Sequence, residues 1–199
     1  MTQAPPPPPR LPPLERDALE PAQQVVWDRM AGGARGGVIG PFTALLTSAE
    51  LCGRVEQLGV FIRYECGVPM RLRELAILVV GAHWQADYEW FAHAPIAAAQ
   101  GVPEAAIRAI GLGQDPGLEA MPDRVVHAFV RELLRTGRVG DAAYAPAQAL
   151  LGDKGAVELT ALVGYYSLLA MQLNVFRVQS PPTVPIPWAT TRQDGSTDR

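Results

Sequence analysis

The stretch MRLRELAILVVGAHWQADYEWFAHAPIAAAQG, Met70 to Gly101, constrains this chain more than any other. It is the most apolar long run, yet it holds Glu74, His83, Glu89 and His93 together with Trp84 and Trp90. Stranded buried polar groups cost roughly 1 to 3 kcal/mol each, and unpaired charges more, so these side chains need partners or a purpose. Helical sequence starts near Met70, the Gly81 to Ala86 region offers a break, and a further helix starts near Asp87 and runs to Gln100, where Gly101 stops it. Pro95 predicts a kink in that second helix.

The same punctuation recurs along the chain. EPAQQVVWDRMAGG predicts a helix with Pro21 at its first position and Gly32 past its end. Thr47 and Glu50 have the spacing of a capping box for a helix to about Tyr64, with Leu51, Val55, Leu58 and Phe61 or Ile62 on its inner face. Short helices follow over VPEAAIRAIG, Pro122 to Thr136 and Asp141 to a stop at Gly152. The last helix, from about Ala156 to Phe176, is apolar nearly all round, as suits a central element or a subunit contact. Strict alternation is scarce, and the expectation is an all-α bundle of about eight helices. Of the 199 residues, about 170 suit one domain, placed at residues 14–178. Residues 1–13 are a Pro-rich, extended arm, either flexible or wrapped on a neighbouring subunit, and 179–199 are an extended, partly disordered tail. GGARGGVIGPF lacks the Gly-Lys-Ser/Thr of a phosphate loop and reads as a loop packed near a pocket.

Composition narrows the function. A net charge of -3 and no basic run argue against a nucleic-acid partner. No segment reaches about 18 apolar residues without interruption, and polyproline precedes the first apolar stretch, so the expectation is a cytoplasmic protein with no membrane partner. Cys52 and Cys66 fall on one expected helix, about 21 Å apart at 1.5 Å per residue, too far for a disulfide and better explained as apolar packing.

Taken singly, the polar residues of the central run have ordinary explanations. Glu74 sits three residues after Arg71 in a first helical turn; Glu89 and His93, four apart, share a helical face. On one helix Glu74 and His93 would be roughly 28 Å apart, but a turn near Gly81 to Ala86 brings the two faces together. The resulting pocket would combine Glu74, Glu89 and His93 with the rings of Tyr88, Trp90 and Trp84 inside apolar walls, an environment that raises carboxyl pKa values. His83, Glu89 and His93 lack the HExxH spacing, so no metal and no cofactor is expected. His127 reads as structural, and Tyr165, Tyr166 and Asn174 either line the cavity or pack within the last helix.

RLRELAIL followed by WQADYEWFAHAPIAAAQG resembles the carboxymuconolactone decarboxylase / alkylhydroperoxidase D-like family, in its longer branch, from GPFTALL at Gly40 to LNVF at Phe176 and including GYY at Gly164. The resemblance implies an alkylhydroperoxidase D-like helical bundle, a helical-hairpin active site and assembly as a trimer or hexamer. Peroxidase members carry Glu, eleven residues, Cys, two residues, Cys, three residues, His; here those positions are Glu74, Ala86, Glu89 and His93. Both thiols of the dithiol route are missing, which disfavours alkylhydroperoxidase or peroxiredoxin-type antioxidant activity. What remains resembles the lyase side of the family: a cofactor-free acid/base enzyme acting on a small carboxylated or cyclic substrate. His93 would be the general acid, oriented by Glu74 or Glu89; Tyr88 would donate to a developing oxyanion, and Tyr88, Trp90, Trp84, His83 and Arg71 would bind substrate. Because Glu89 adds negative charge, only Arg71, Arg73 or Arg63 is expected to offset it. The alternative is a non-catalytic helical oligomer that binds a small ligand or partner.

Overall fold

The computed structural model describes residues 7–33, 35–181 and 183–189, and the described residues are helical without strands. After a 3-10 turn at Arg16–Ala18 come α1 (Pro21–Gly32), α2 (Pro41–Leu45), α3 (Ala49–Val60), α4 (Met70–Trp84), α5 (Asp87–Ala99), α6 (Glu104–Gly111), α7 (Met121–Thr136) and α8 (Asp141–Phe176). The all-α expectation of about eight helices therefore holds. Helix α4 is the centre of the bundle, packing against α5, α6, α7 and α8. Its Leu72 and the unbroken run Leu75 to Val80 are buried, as an element surrounded by other helices requires.

The expected turn in the central run is present and lies at its C-terminal edge. Gln85 adopts the left-handed region (φ 49°), and the Ala86 N–H reaches back to the Gly81 carbonyl at 3.0 Å, closing α4 as a left-handed cap does. Gly81 itself stays helical, with Glu89 of α5 packed over it. Pro95 lies inside α5, which continues to Ala99.

Two local readings, both in α3, need correction. The α3 N-cap is Ser48, without a side-chain cap bond, and Glu50 binds Arg54 at 2.8 Å instead of joining Thr47 in a capping box. The inner face of α3 carries Cys52, Val55, Glu56 and Gly59, whereas Leu51 and Leu58 are exposed. The helix turns its small residues inward because α1 and Tyr165 approach closely there, and a π-helical turn at Phe61–Glu65 then buries Ile62 and leaves Phe61 partly exposed. Gly140 is the cap residue of α8, and Gly152 (φ 70°, ψ 175°) leaves the helical region and divides α8 into two segments across a kink, at the stop the sequence predicts.

Arg10 and Trp188, near the two ends of the described residues, contact the bundle. Arg10 donates from its backbone N–H to the Phe176 carbonyl (3.1 Å) and from Nη1 to the Val175 carbonyl (2.8 Å), satisfying carbonyls that the end of α8 leaves without helical partners. Trp188 is buried, stacks edge-on against Trp90 at 5.2 Å and donates its indole N–H to Asp87 at 2.7 Å. The tail is thus docked at least as far as Trp188; the expected disorder further on lies outside the described residues. By length and composition α8 is apolar enough to cross a membrane, but its Leu159, Leu162 and Leu169 belong to the core of the bundle.

Candidate active site

Antiparallel packing of α4 on α5 brings Glu74 and His93 together. The His93 Nδ1–H donates to Glu74 Oε2 at 2.7 Å, and both side chains are almost completely buried. This bond fixes the imidazole plane and leaves Nε2 as the ring nitrogen that Glu74 does not engage. The Tyr166 ring of α8 meets the imidazole edge-on, with centroids 5.2 Å apart, and Tyr165 meets Tyr166 in the same way at 5.3 Å.

Glu89 stands one turn before His93 on α5. It is only 3 % exposed, and neither carboxyl oxygen has a hydrogen-bond partner among the described residues. Burial alone pushes its pKa well above the ordinary glutamate range, which favours the neutral form of the acid. Burial likewise raises Tyr166, with Arg63 opposing and Glu74 and Glu89 adding to the rise, and pushes Tyr165 up to about 12, although Arg35 opposes that shift. The arrangement joins an imidazole oriented by Glu74 to a second carboxyl group whose burial favours its neutral form, two proton carriers in different environments within one buried region.

The remaining sequence-derived candidates divide. Tyr88 is half-buried beneath Gly40, whose positive φ of 58° leaves no room for a side chain against the ring. Its pKa is raised by burial, with Arg35 and Arg63 opposing, which places it near the same cationic groups as Tyr165. Trp84 is partly buried, with its indole N–H unpartnered, and its backbone carbonyl accepts from Asn174 at 2.6 Å. Trp90 packs against Trp188, and His83 lines a separate cleft of about 550 Å³ with His127, Arg131 and Trp188; the structure does not bring these two to the Glu74–His93 pair. Arg71 is committed to Asp123 through two bonds of 3.1 and 2.5 Å and to the Gln100 carbonyl, which makes it a structural clamp. Among the described residues, no three His, Cys, Asp or Glu side chains are grouped to hold a metal ion.

Sequence reasoning passed over Arg35. The only signal available was one arginine within a glycine-rich segment, and nothing in local spacing ties residue 35 to residue 165.

Comparison with solved structures bears on the fold. The chain superposes on an alkylhydroperoxidase AhpD core protein, an uncharacterized peroxidase-related protein from Ralstonia eutropha JMP134, with TM-score 0.69 and 15% identity over 87% of this chain and 93% of that one. A peroxidase-related protein from Silicibacter sp. TM1040 gives TM-score 0.70 at 14% identity, covering 91% and 96%. The debrominase Bmp8, in a complex with 2,3,4-tribromopyrrole, gives TM-score 0.66 at 18% identity, covering 91% and 95%. No family model matches the sequence, and no curated protein matches it. The chain therefore has the alkylhydroperoxidase D-like fold, as the resemblance in its central run implied.

Proposed function

We propose that this protein is a cofactor-free acid/base enzyme of the lyase kind, acting on a small carboxylated or cyclic organic substrate as a homo-oligomer. The observation that carries the reading is the buried Glu74–His93 bond of 2.7 Å beside a Glu89 whose two oxygens have no partner. A purely structural carboxyl group would be paired, because an unmet buried one costs roughly 1 to 3 kcal/mol; a group that must give its proton to a substrate is left unmet in the resting protein. In a decarboxylation the C–C bond to the substrate carboxylate breaks, CO2 leaves, and the electron pair passes into a conjugated enolate. Glu89 or the His93 imidazolium delivers the proton to carbon, and solvent restores it. Tyr88 donates to the enolate oxygen. Support for small-molecule chemistry on this fold comes from Bmp8, which binds a brominated pyrrole.

The thiol-peroxidase reading has less support. Cys52 and Cys66 are buried, and burial pushes the Cys52 thiol up to about 11, which suppresses the thiolate that peroxide reduction needs.

The test is a panel of β,γ-unsaturated and lactone carboxylic acids assayed for CO2 release. The expected result is turnover by wild type, a loss of at least about 100-fold in His93→Ala, and no loss in the double substitution Cys52→Ala, Cys66→Ala. Turnover that survives His93→Ala would sink the proposal. Dissociation of the oligomer by that substitution, with no turnover in wild type, would favour the binding scaffold.

A further inference from the structure

The carboxylated substrate needs a cation, and the structure removes the cations that the sequence offered. Arg71 is engaged by Asp123. Arg73 keeps an unpartnered Nε, but its Nη1 donates to the Ile62 and Arg63 carbonyls. Arg63 lies over the exposed ring of Tyr64, with 5.7 Å to the centroid, and reaches Tyr88, Tyr165 and Tyr166 through its charge without a hydrogen bond to any of them. Arg29 pairs with Glu56 at 3.3 Å. Arg35 remains.

Its guanidinium lies over the buried Phe42 ring, 4.1 Å from the centroid. Among the described residues its Nε is buried without a hydrogen-bond partner, and the Tyr165 hydroxyl, close enough to the guanidinium for a side-chain hydrogen bond from Arg35 to lower its pKa, finds no acceptor for its own proton. The two groups converge on Gly59: a Cβ at that position would meet Arg35 Nη2 at 3.0 Å and Tyr165 Cζ at 2.8 Å. Among the described residues no carboxylate bonds to either. The Nε–H of a guanidinium and the O–H of a phenol, each still with a proton to give, form the donor set that a carboxylate satisfies. Through Tyr165, which stacks on Tyr166, and Tyr166, which stacks on His93, this pair lies at one end of the region that holds the proton carriers.

We propose that Arg35 and Tyr165 form the anion-anchoring subsite of this enzyme, receiving a carboxylate of the substrate while its reacting carbon faces Glu89 and His93. The inference rests on the acid/base reading for the placement of the reacting carbon, but the anchoring itself is read by binding alone. Arg35 is an anchoring residue and carries no proton in the reaction.

Benzoate is the probe and benzamide its uncharged counterpart, titrated calorimetrically into the full chain. The expected outcome is benzoate binding at least about tenfold tighter than benzamide, since charge-assisted bonds are roughly twice as strong as neutral ones. Arg35→Met should abolish that preference with the thermal unfolding midpoint unchanged, Arg35→Lys should restore part of it, and Tyr165→Phe should weaken benzoate a few-fold. Equal binding of benzoate and benzamide, undiminished benzoate binding by Arg35→Met, or no benzoate binding at all would overturn the anchor. His93→Ala separates the two readings: an Arg35-dependent benzoate site together with turnover that survives His93→Ala would retain the anchor and discard the acid/base chemistry.

Discussion

At the scale of single residues, Glu89 is the side chain whose environment and chemistry conflict most. Its neighbours on α5 and Gly81 of α4 enclose it in hydrocarbon and backbone without offering a donor, so the neutral acid is the form that folds. The consequence for stability has a definite sign. The folded-state pKa lies above the ordinary value of 4.5, so the unfolded chain releases this proton first. Stability is full below the ordinary carboxyl range and falls as pH rises toward the raised folded-state value, by at most about 1.4 kcal/mol per pH unit. Urea unfolding at a series of pH values should show this decline in wild type and a flatter profile in Glu89→Gln; parallel profiles would mean that Glu89 is ionised in the folded protein. The i, i+4 relation of Glu89 to His93 could be read from the sequence. The absence of a partner could not, because it depends on what α4 places opposite.

At the scale of elements, the contact of α3 with α8 decides how the site is walled. Gly59 lets the Tyr165 ring lie directly on the α3 backbone, and a methyl group there would collide with the phenol. Gly59→Ala should therefore destabilise the protein by about 1 to 3 kcal/mol, with Tyr165→Phe in the same chain recovering part of the loss. Denaturant unfolding of the two single variants and the double variant measures the coupling, and strictly additive losses would show that the collision is relieved elsewhere. This contact also explains the misread face of α3. Apolar spacing selected Leu51 and Leu58, but the small stripe of Cys52 and Gly59 turns inward because a bulky ring from α8 occupies the space. Helix periodicity gives the existence and length of an element, and rotation about its axis is set by what packs on it. The docking of Trp188 was hidden for the same reason: SPPTVPIPW has no helical or strand pattern, and the folded surface is what gives Pro187 its place against Gly111 and the Trp188 indole its contacts with Trp90 and Asp87.

For the whole molecule, α8 serves two surfaces. One face presents Tyr165 and Tyr166 to the site and the core, while Val157, Met171 and Val175 are exposed on others, 69 % in the case of Val157. Between Gly155 and Phe176 the helix has one charged residue, Glu158, and that side chain is turned inward to accept the Gly67 N–H at 2.6 Å. An exposed apolar surface of this kind fits the proposed assembly of copies of the chain. Sedimentation analysis should give an oligomer for wild type and smaller species for Met171→Glu; an unchanged mass in that variant would exclude this part of α8 from the interface.

By itself the sequence determined the helical class, the spans of most helices, and the doubling back of α5 on α4 that lets a glutamate reach His93, leaving open whether Glu74 or Glu89 does so. Those follow from local spacing, turn residues and the length of chain between them, which are properties of neighbours in the chain. Only the tertiary structure decided that Arg71 is a clamp for Asp123, that His83 and Trp90 serve another face of the molecule, that Glu89 has no donor, and that Arg35 and Tyr165 converge at Gly59. Each of these depends on which face of one helix meets which face of another, and that is settled by packing among residues remote in the chain.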